Sequence, residues 1–166
     1  MGIIQLDYVQ KIEGVNLMIH NIDPQSWKEG LALFREKTEA FHAGEIDKNA
    51  YKGTSGKFGS YAQKNPEVHM LRLRMTAGRL TKDKMNYIAE SLKKHNVNML
   101  HYTTCQTIQL HNLPKEAVYD IMEGGLDHNI VTMGGGGDFP RNVMCSPLSG
   151  VQKDEYFHVM PYAEAL

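Results

Sequence analysis

Apolar residues recur at helical spacing in several stretches of the chain and alternate with polar residues in others. From Pro24 to about Gly44, the apolar residues step by four, three and seven positions along one stripe, at Trp27, Leu31, Phe34 and Phe41. This 3.6-residue period predicts a helix that packs through that stripe. Residues 45 to 66 are polar and contain glycines, which predicts a linker or a loose arm.

Two segments have the period-two pattern of strands. In the segment 68–75 one face is apolar, with Leu71, Leu73 and Met75. The other face carries both arginines, with Val68, Met70, Arg72 and Arg74. The segment 99–111 is either one strand or a hairpin folded at Thr103-Thr104. If the alternation is unbroken, its apolar set is Leu100, Tyr102, Ile108, Leu110 and its polar set is His101, Thr103, Cys105, Thr107, Gln109, His111.

Further helices are predicted after each of these segments. Thr81 caps one whose buried stripe is Met85, Ile88, Ala89 and Leu92. Pro114 begins another that runs through Ala117, Val118, Ile121 and Met122 and ends at Gly124-Gly125. The order strand, helix, strand or hairpin, helix is typical of a ferredoxin-like α+β unit. A last helix is expected from Asp154 and still continues at Leu166, which indicates a piece of a longer protein.

Composition narrows the possible functions. The 166 residues are 42% hydrophobic and 22% charged, with a formal net charge of −1 and scattered lysines. A nucleic-acid partner is therefore not expected. No apolar stretch approaches a membrane span, and the N-terminus lacks a signal-peptide layout, so no membrane association is expected. The only cysteines, Cys105 and Cys145, lack metal-site spacing, and a reduced cytoplasmic location is predicted.

Two features carry candidate chemistry. Arg72 and Arg74 lie on the same strand face about 6.6–7 Å apart. Since an unpaired charge buried against apolar groups costs several kcal/mol, that face meets either solvent and ion pairs or a bound anion. The run Gly134–Gly137, followed by Asp138, Arg141 and Asn142, is either a mobile surface loop or a backbone that closely approaches a flat or anionic ligand.

Three segments in order resemble the sirohaem-dependent nitrite and sulfite reductase family. They are MLRLRMTAG at 70–78, TTCQTIQLH at 103–111 and GDFPRNVMCSPLSG at 137–150. They are similar to the family's Arg-x-Arg strand, its Thr-Thr-Arg-Gln-x-x-Gln-x-His segment and its Arg-Asn-Val before a Cys-Pro-like turn. The resemblance runs from about Tyr61 to Leu166.

The resemblance implies the N-terminal portion of such a reductase. The implied domains are a helix and linker arm at 1–60, a ferredoxin-like half-domain at 61–128 and the truncated start of a sirohaem-binding α/β domain at 129–166. The parent protein would reduce sulfite to sulfide or nitrite to ammonia at a sirohaem–[4Fe-4S] centre, with electrons from a donor protein or reductase subunit.

The same resemblance implies roles for individual residues. Arg72 and Arg141 match the pair that faces the substrate anion. Positions that line or support sirohaem are matched by Arg74, Thr104, Cys105, Gln106, Gln109, His111 and Asn142. Cys105 replaces a family arginine and is expected to be a small filler beside the ring.

The family's four cluster cysteines and substrate-facing lysines lie in its second half and have no counterpart in these residues. The chain alone is therefore expected to be inactive. The alternative interpretation is a stand-alone, non-catalytic module that binds an anion or tetrapyrrole, or a structural piece that forms homo-oligomers through exposed surface.

Overall fold

Helices alternate with the strands of an antiparallel sheet. The computed structural model describes residues 24–139 and 141–166. Within them the helices are α1 (Pro24–His42), α2 (Lys48–Ser55), α3 (Lys82–Lys94), α4 (Lys115–Gly125) and α5 (Met160–Ala165). The strands are β1 (Ser60–Ala62), β2 (His69–Leu73), β3 (Leu100–Tyr102) and β4 (Ile108–Leu113). Among the described helices none is long and apolar enough to cross a membrane.

The sheet has the strand order β1-β2-β4-β3, and all neighbouring strands are antiparallel. Residues paired across neighbouring strands lie on the same face of a sheet. One row across the three strands β2, β4 and β3 is therefore apolar, and the next row is polar. The apolar row is Leu71, Leu110 and Leu100, and the polar row is Arg72, Gln109 and His101.

The apolar rows form the core together with the helices. Strand residues Leu71, Leu73 and Leu110 are fully buried, as are Phe34 of α1 and Ile121 of α4. Each such side chain contributes about 1.5–3 kcal/mol relative to leaving it in water. The predicted stripe of α1 and the predicted faces of β2 and α4 are confirmed by this burial.

The prediction that residues 45–66 form a linker or loose arm is wrong over most of that segment. It contains α2, a short turn of 3-10 helix at Gly56–Phe58 and the edge strand β1. Asp47 caps α2 by accepting from the backbone N–H groups of Asn49 and Ala50. Tyr51 is 1% exposed and stacks on Phe41 with ring centroids 4.4 Å apart. One aromatic anchor in a polar octapeptide creates no apolar period, so the pattern did not indicate this helix.

Two other predicted elements need correction. In α3, Met85 is 52% exposed and Ala89 is also exposed, whereas Ile88 and Ser91 are buried and Leu92 packs against the core. The helix thus contacts the core through a narrower face than its apolar stripe predicted. The last helix begins at Met160 rather than at Asp154.

The segment 99–111 is a hairpin and not one continuous strand. Strands β3 and β4 pair antiparallel, and the Thr103 backbone N–H donates to the Thr107 carbonyl at 3.0 Å. Gln106 adopts a left-handed conformation with φ of 55° at the turn. The apolar alternation therefore holds for Ile108 and Leu110, which are buried, but not for the exposed Tyr102.

A buried histidine links α1, α2 and β2. His69 lies on the core face of β2 with no exposed surface. Its Nε2 is 3.0 Å from Nε2 of His42, and its Nδ1 is 3.4 Å from the Tyr51 hydroxyl. Burial, with smaller contributions from His42 and Lys115, lowers the pKa of His69 from 6.5 to about 4. The folded protein thus holds this ring neutral.

This histidine should make stability depend on pH. Between pH 6.5 and about 4 the unfolded chain binds a proton at His69 that the folded protein does not. The free energy of unfolding should therefore fall with decreasing pH, by up to about 1.4 kcal/mol per pH unit and roughly 3 kcal/mol in all. When the free energy of unfolding is measured in urea between pH 6.5 and about 4, it should depend less steeply on pH in His69→Gln than in the wild type. His158→Gln, a substitution at an exposed histidine, should have the same pH dependence as the wild type. Equal slopes in His69→Gln and the wild type would contradict the assignment.

Candidate functional site

Two arginines and two histidines lie on the sheet face opposite the core. Arg72 and Arg74 are half-buried; Arg72 lies in β2, whose alternation turns Leu71 and Leu73 to the other side, and Arg74 directly follows the strand in an isolated bridge to Val131. His111 of β4 and His101 of β3 lie on the same face, with ring centroids 6.5 Å apart. Among the ion pairs of the described residues, none involves Arg72 or Arg74. Their charge is therefore available to an anion.

Arg72 is held by neutral oxygens on two sides. Its Nη1 donates to the Gly135 carbonyl at 2.7 Å. The Gln109 amide, in the orientation that satisfies both of its ends, accepts through its oxygen from Nε at 3.2 Å and Nη2 at 2.9 Å. These bonds leave one N–H on each terminal nitrogen of the guanidinium. A guanidinium end of this kind can grip an oxyanion at two points.

Arg74 has a different environment. Its Nη1 donates to the Met133 carbonyl at 3.2 Å, and its backbone N–H donates to the Val131 carbonyl at 2.9 Å. Burial lowers the pKa of Arg74, although the guanidinium stays charged. Gly134 passes so close that a Cβ there would lie 3.2 Å from Nη1 of Arg74. The glycine run therefore covers one side of this arginine.

His111 completes the row through Gln109. In the same amide orientation, the Gln109 nitrogen donates to Nε2 of His111 at 3.3 Å. Partial burial, and secondarily His101, lower the pKa of His111 below its usual value of 6.5. The ring is thus neutral at neutral pH, with Nε2 as the acceptor.

The four-glycine run is a packed structural element and not a mobile surface loop. Gly134, Gly135 and Gly136 are buried, and the Gly134 backbone N–H donates to the Lys57 carbonyl at 2.7 Å. A Cβ on Gly135 would lie 2.7 Å from the Thr132 carbonyl oxygen and 3.1 Å from that of Arg72. A Cβ on Gly136 would lie 2.1 Å from the Tyr61 hydroxyl. The run needs glycine because it lies against the protein's own backbone.

The segment 142–145 is tied across two turns. Nδ2 of Asn142 donates to the Cys105 carbonyl at 2.9 Å and the Met75 carbonyl at 3.1 Å. Gln106 donates to the Cys145 carbonyl at 2.8 Å and accepts from the Cys145 backbone N–H at 3.3 Å. The side chains of Asn142 and Gln106 therefore already bind the polypeptide. Their roles toward sirohaem stay predictions.

The other predicted site residues are exposed. Thr104 and Cys105 lie in the turn between β3 and β4, and Arg141 precedes the tied segment. The fold thus brings together Arg72, Arg74, Gln109 and His111, and leaves these three side chains in solvent. Cys105 and Cys145 are free thiols. Within residues 24–139 and 141–166, no group of three or more His, Cys, Asp or Glu side chains could hold a metal ion.

Sequence reasoning missed one residue that supports the site and one pocket that Arg72, Arg74, Gln109 and His111 do not line. The Tyr61 hydroxyl accepts from the Gly137 backbone N–H at 2.8 Å and so holds the end of the glycine run. A pocket of about 400 Å³ also lies at the end of the sheet where the hairpin turn meets α5, lined by Met75, Leu80, Tyr102, Thr107, Ile108 and Met160 among others. An aromatic residue before the first predicted strand was the available signal for Tyr61. The pocket is lined by segments that are far apart in the sequence, so no sequence pattern indicated it.

Comparison with known proteins finds one matching family model and a similar solved structure. Residues 61–126 match the family model of the nitrite/sulfite reductase ferredoxin-like half domain. The solved structure of the Mycobacterium tuberculosis NirA protein is similar, with a TM-score of 0.62 and 23% sequence identity, over 78% of this chain and 27% of that chain. No curated protein matches the chain.

The segment that carries the site is thus a ferredoxin-like half domain. Over residues 61–126 the chain is similar to the nitrite/sulfite reductase family. The family resemblance and the α+β class predicted from the sequence are confirmed. The chain spans only about a quarter, 27%, of the length of the NirA chain.

The packing of Gly135 can be tested by substitution. Gly135→Ala should lower the free energy of unfolding by roughly 1–3 kcal/mol, because the added methyl group would meet backbone oxygens that cannot move aside independently. Gly53→Ala is the matched control, since a Cβ there meets no atom within 4 Å and lies in a helix. It should leave stability unchanged or raise it by up to about 1 kcal/mol. Equal stability of Gly135→Ala and wild type in urea unfolding would refute the packing argument.

The tie made by Asn142 predicts a loss of stability without any ligand. Asn142→Ala removes the donor to the Met75 and Cys105 carbonyls and should lower the free energy of unfolding by about 1–3 kcal/mol. Asn98→Ala, at an exposed loop position, is the control. If Asn142→Ala unfolds at the wild-type urea concentration, the side chain has no structural role and is free for a ligand.

Proposed function

We propose that this chain supplies the N-terminal, substrate-facing half-domain of an oxidoreductase that reduces sulfite to sulfide or nitrite to ammonia. The observation that carries the proposal is the anchored Arg72 guanidinium on an open cationic face of the matched half domain. Arg72 and Arg141 would bind the substrate anion.

The geometry of Arg72 supports an anion-binding role. Two neutral partners fix its plane without cancelling its charge, so little side-chain freedom is lost when an oxyanion binds. Arg74 adds a second positive charge to the same face, and the neutral His111 ring, with Nε2 as acceptor, carries its N–H donor on Nδ1. Arg141 is exposed, so its guanidinium is accessible to an anion. Such convergent donors stabilise negative charge where water is partly excluded.

The donor set of this face is compatible with a tetrapyrrole that bears many carboxylates. Arg74, Gln109 and His111 would hold sirohaem, with Thr104 and Cys105 at its edge. When bound, sirohaem would supply the redox chemistry of the reduction, with the electrons coming from the donor. A [4Fe-4S] cluster does not fit the described residues, because the chain has only two cysteines and one cluster takes four. Cluster ligands, and docking of an electron donor protein or subunit, would belong to a longer, cytoplasmic polypeptide.

A second candidate is a non-catalytic module that binds an anion or a tetrapyrrole, or a structural module that self-associates. Cys105 is exposed where the family resemblance places an arginine, which removes one strong donor. Large apolar side chains are also exposed near the C-terminal end of the chain, at Leu148, Val151, Tyr156 and Phe157. Exposed apolar surface of this kind favours association with a further protein surface.

Anion titrations of the 166-residue chain test the first role. Arg72→Ala and Arg141→Ala should each weaken nitrite and sulfite binding by roughly tenfold or more, since a charge-assisted bond contributes about 1.5–3 kcal/mol. Arg35→Ala is the control, because Arg35 pairs with Glu123 on the helical side. Binding that is unchanged in both site variants would refute the assignment of the arginines.

Expression of the chain in a sirohaem-producing host separates the two candidates. A sirohaem absorbance spectrum in the purified chain, diminished in Arg74→Ala and His111→Ala, would support the proposed cofactor face. A colourless chain that still binds anions through Arg72 would favour the anion-binding module.

A further inference from the structure

Gln109 connects an arginine to a titratable histidine. Its amide lies between the Arg72 guanidinium on β2 and the His111 ring two residues further along β4. All three side chains are partly buried on the open face of the sheet. The protonation state of one end of this row can therefore affect the other end.

Only one orientation of the Gln109 amide forms hydrogen bonds with both Arg72 and a neutral His111. With the oxygen toward Arg72, Gln109 accepts two bonds from the guanidinium and donates one to Nε2 of His111. In the reverse direction the oxygen lies 3.3 Å from Nε2 of His111, and the amide nitrogen faces the N–H donors of Arg72. Arginine has no acceptor, so both contacts with Arg72 are then lost. The first direction requires an unprotonated Nε2.

We propose that Gln109 is a positioning residue that holds Arg72 in its anion-binding orientation only while His111 is neutral. Protonation of His111 converts Nε2 into a donor, turns the Gln109 oxygen toward it and frees the Arg72 side chain from one of its two anchors. The inference deepens the proposed anion-binding role of Arg72 and rests on it for its functional consequence.

The surroundings of His111 determine the direction of this response. His101 faces it from β3, and Arg72 of β2 lies beyond the amide. Partial burial, and secondarily the electrostatic effect of His101, lower the pKa of His111. Arg72 is therefore anchored at neutral pH and released on acidification.

The coupling can be measured without any ligand. In nuclear magnetic resonance spectra of the 166-residue chain, the Arg72 Nε–H signal and the His111 ring nitrogens should titrate with one common midpoint, below the usual histidine value of 6.5. His101→Gln should raise both midpoints together, because it removes the electrostatic effect of His101 that lowers the pKa of His111. His158→Gln, at a distant exposed histidine, should move neither.

Variants of Gln109 and His111 distinguish a specific positioning of Arg72 from a general effect on the structure. Gln109→Met and His111→Phe should abolish the pH dependence of the Arg72 signal. Gln109→Glu, whose carboxylate accepts at both ends, should keep Arg72 anchored across the range. An Arg72 signal that is independent of pH in the wild type, or that still titrates in His111→Phe, would overturn the proposal.

Nitrite affinity supplies the functional readout, since nitrite keeps one negative charge over this range. Wild-type affinity should fall by roughly tenfold on acidification through the His111 midpoint, and the affinity of Gln109→Glu should not. If the Arg72 and His111 signals are coupled but no nitrite binds, the anion role of Arg72 is wrong and the positioning by Gln109 stands. If nitrite binds with the same affinity at both ends of the pH range, the positioning proposal fails and the anion role stands.

Discussion

The close contact of the Gly135 backbone with strand β2 is the constraint on which the site depends. The Arg72 carbonyl lies against Gly135, and the Gly135 carbonyl in turn accepts from the Arg72 guanidinium at 2.7 Å. The Arg72 backbone N–H donates to the Gly59 carbonyl at 2.9 Å, so the same residue also joins the turn before β1. A methyl group on Gly135 would separate these backbones. The position of the cationic side chain and the packing of the glycine run are thus a single feature.

The electrostatics of the open face follow from the choice of anchoring groups. Arg72 and Arg74 are held by backbone carbonyls and a side-chain amide, which satisfy N–H groups without neutralising charge. A carboxylate in the same place would form an ion pair and reduce the attraction for an external anion. Half-burial strengthens any remaining interaction, because the surrounding dielectric is lower than in water. The face is therefore rigid, positively charged and open to an anion.

The polar residues of the segment 103–111 have different structural roles. Gln109 and His111 face the arginines, whereas Gln106 of the same segment holds Cys145 at the far side of the hairpin turn. The left-handed conformation of Gln106 breaks the alternation that would have put them all on one face. Family resemblance alone assigned a cofactor role to each of them. The turn geometry distinguishes those that can face a ligand from those that tie the backbone.

The sequence by itself determined the elements with strong periodicity: α1, β2, α4 and the separation of Arg72 from Leu71, because burial of apolar groups imposes a period of 3.6 or two. It also carried the family resemblance through residues 61–126. Only the tertiary structure decided that α2 forms around Tyr51, that Met85 is exposed and that residues 99–111 fold back as a hairpin. Those outcomes depend on contacts between segments far apart in the chain. The same holds for the glycine run, whose sequence suits a mobile loop and whose packing depends on the backbones of Arg72 and Gly59.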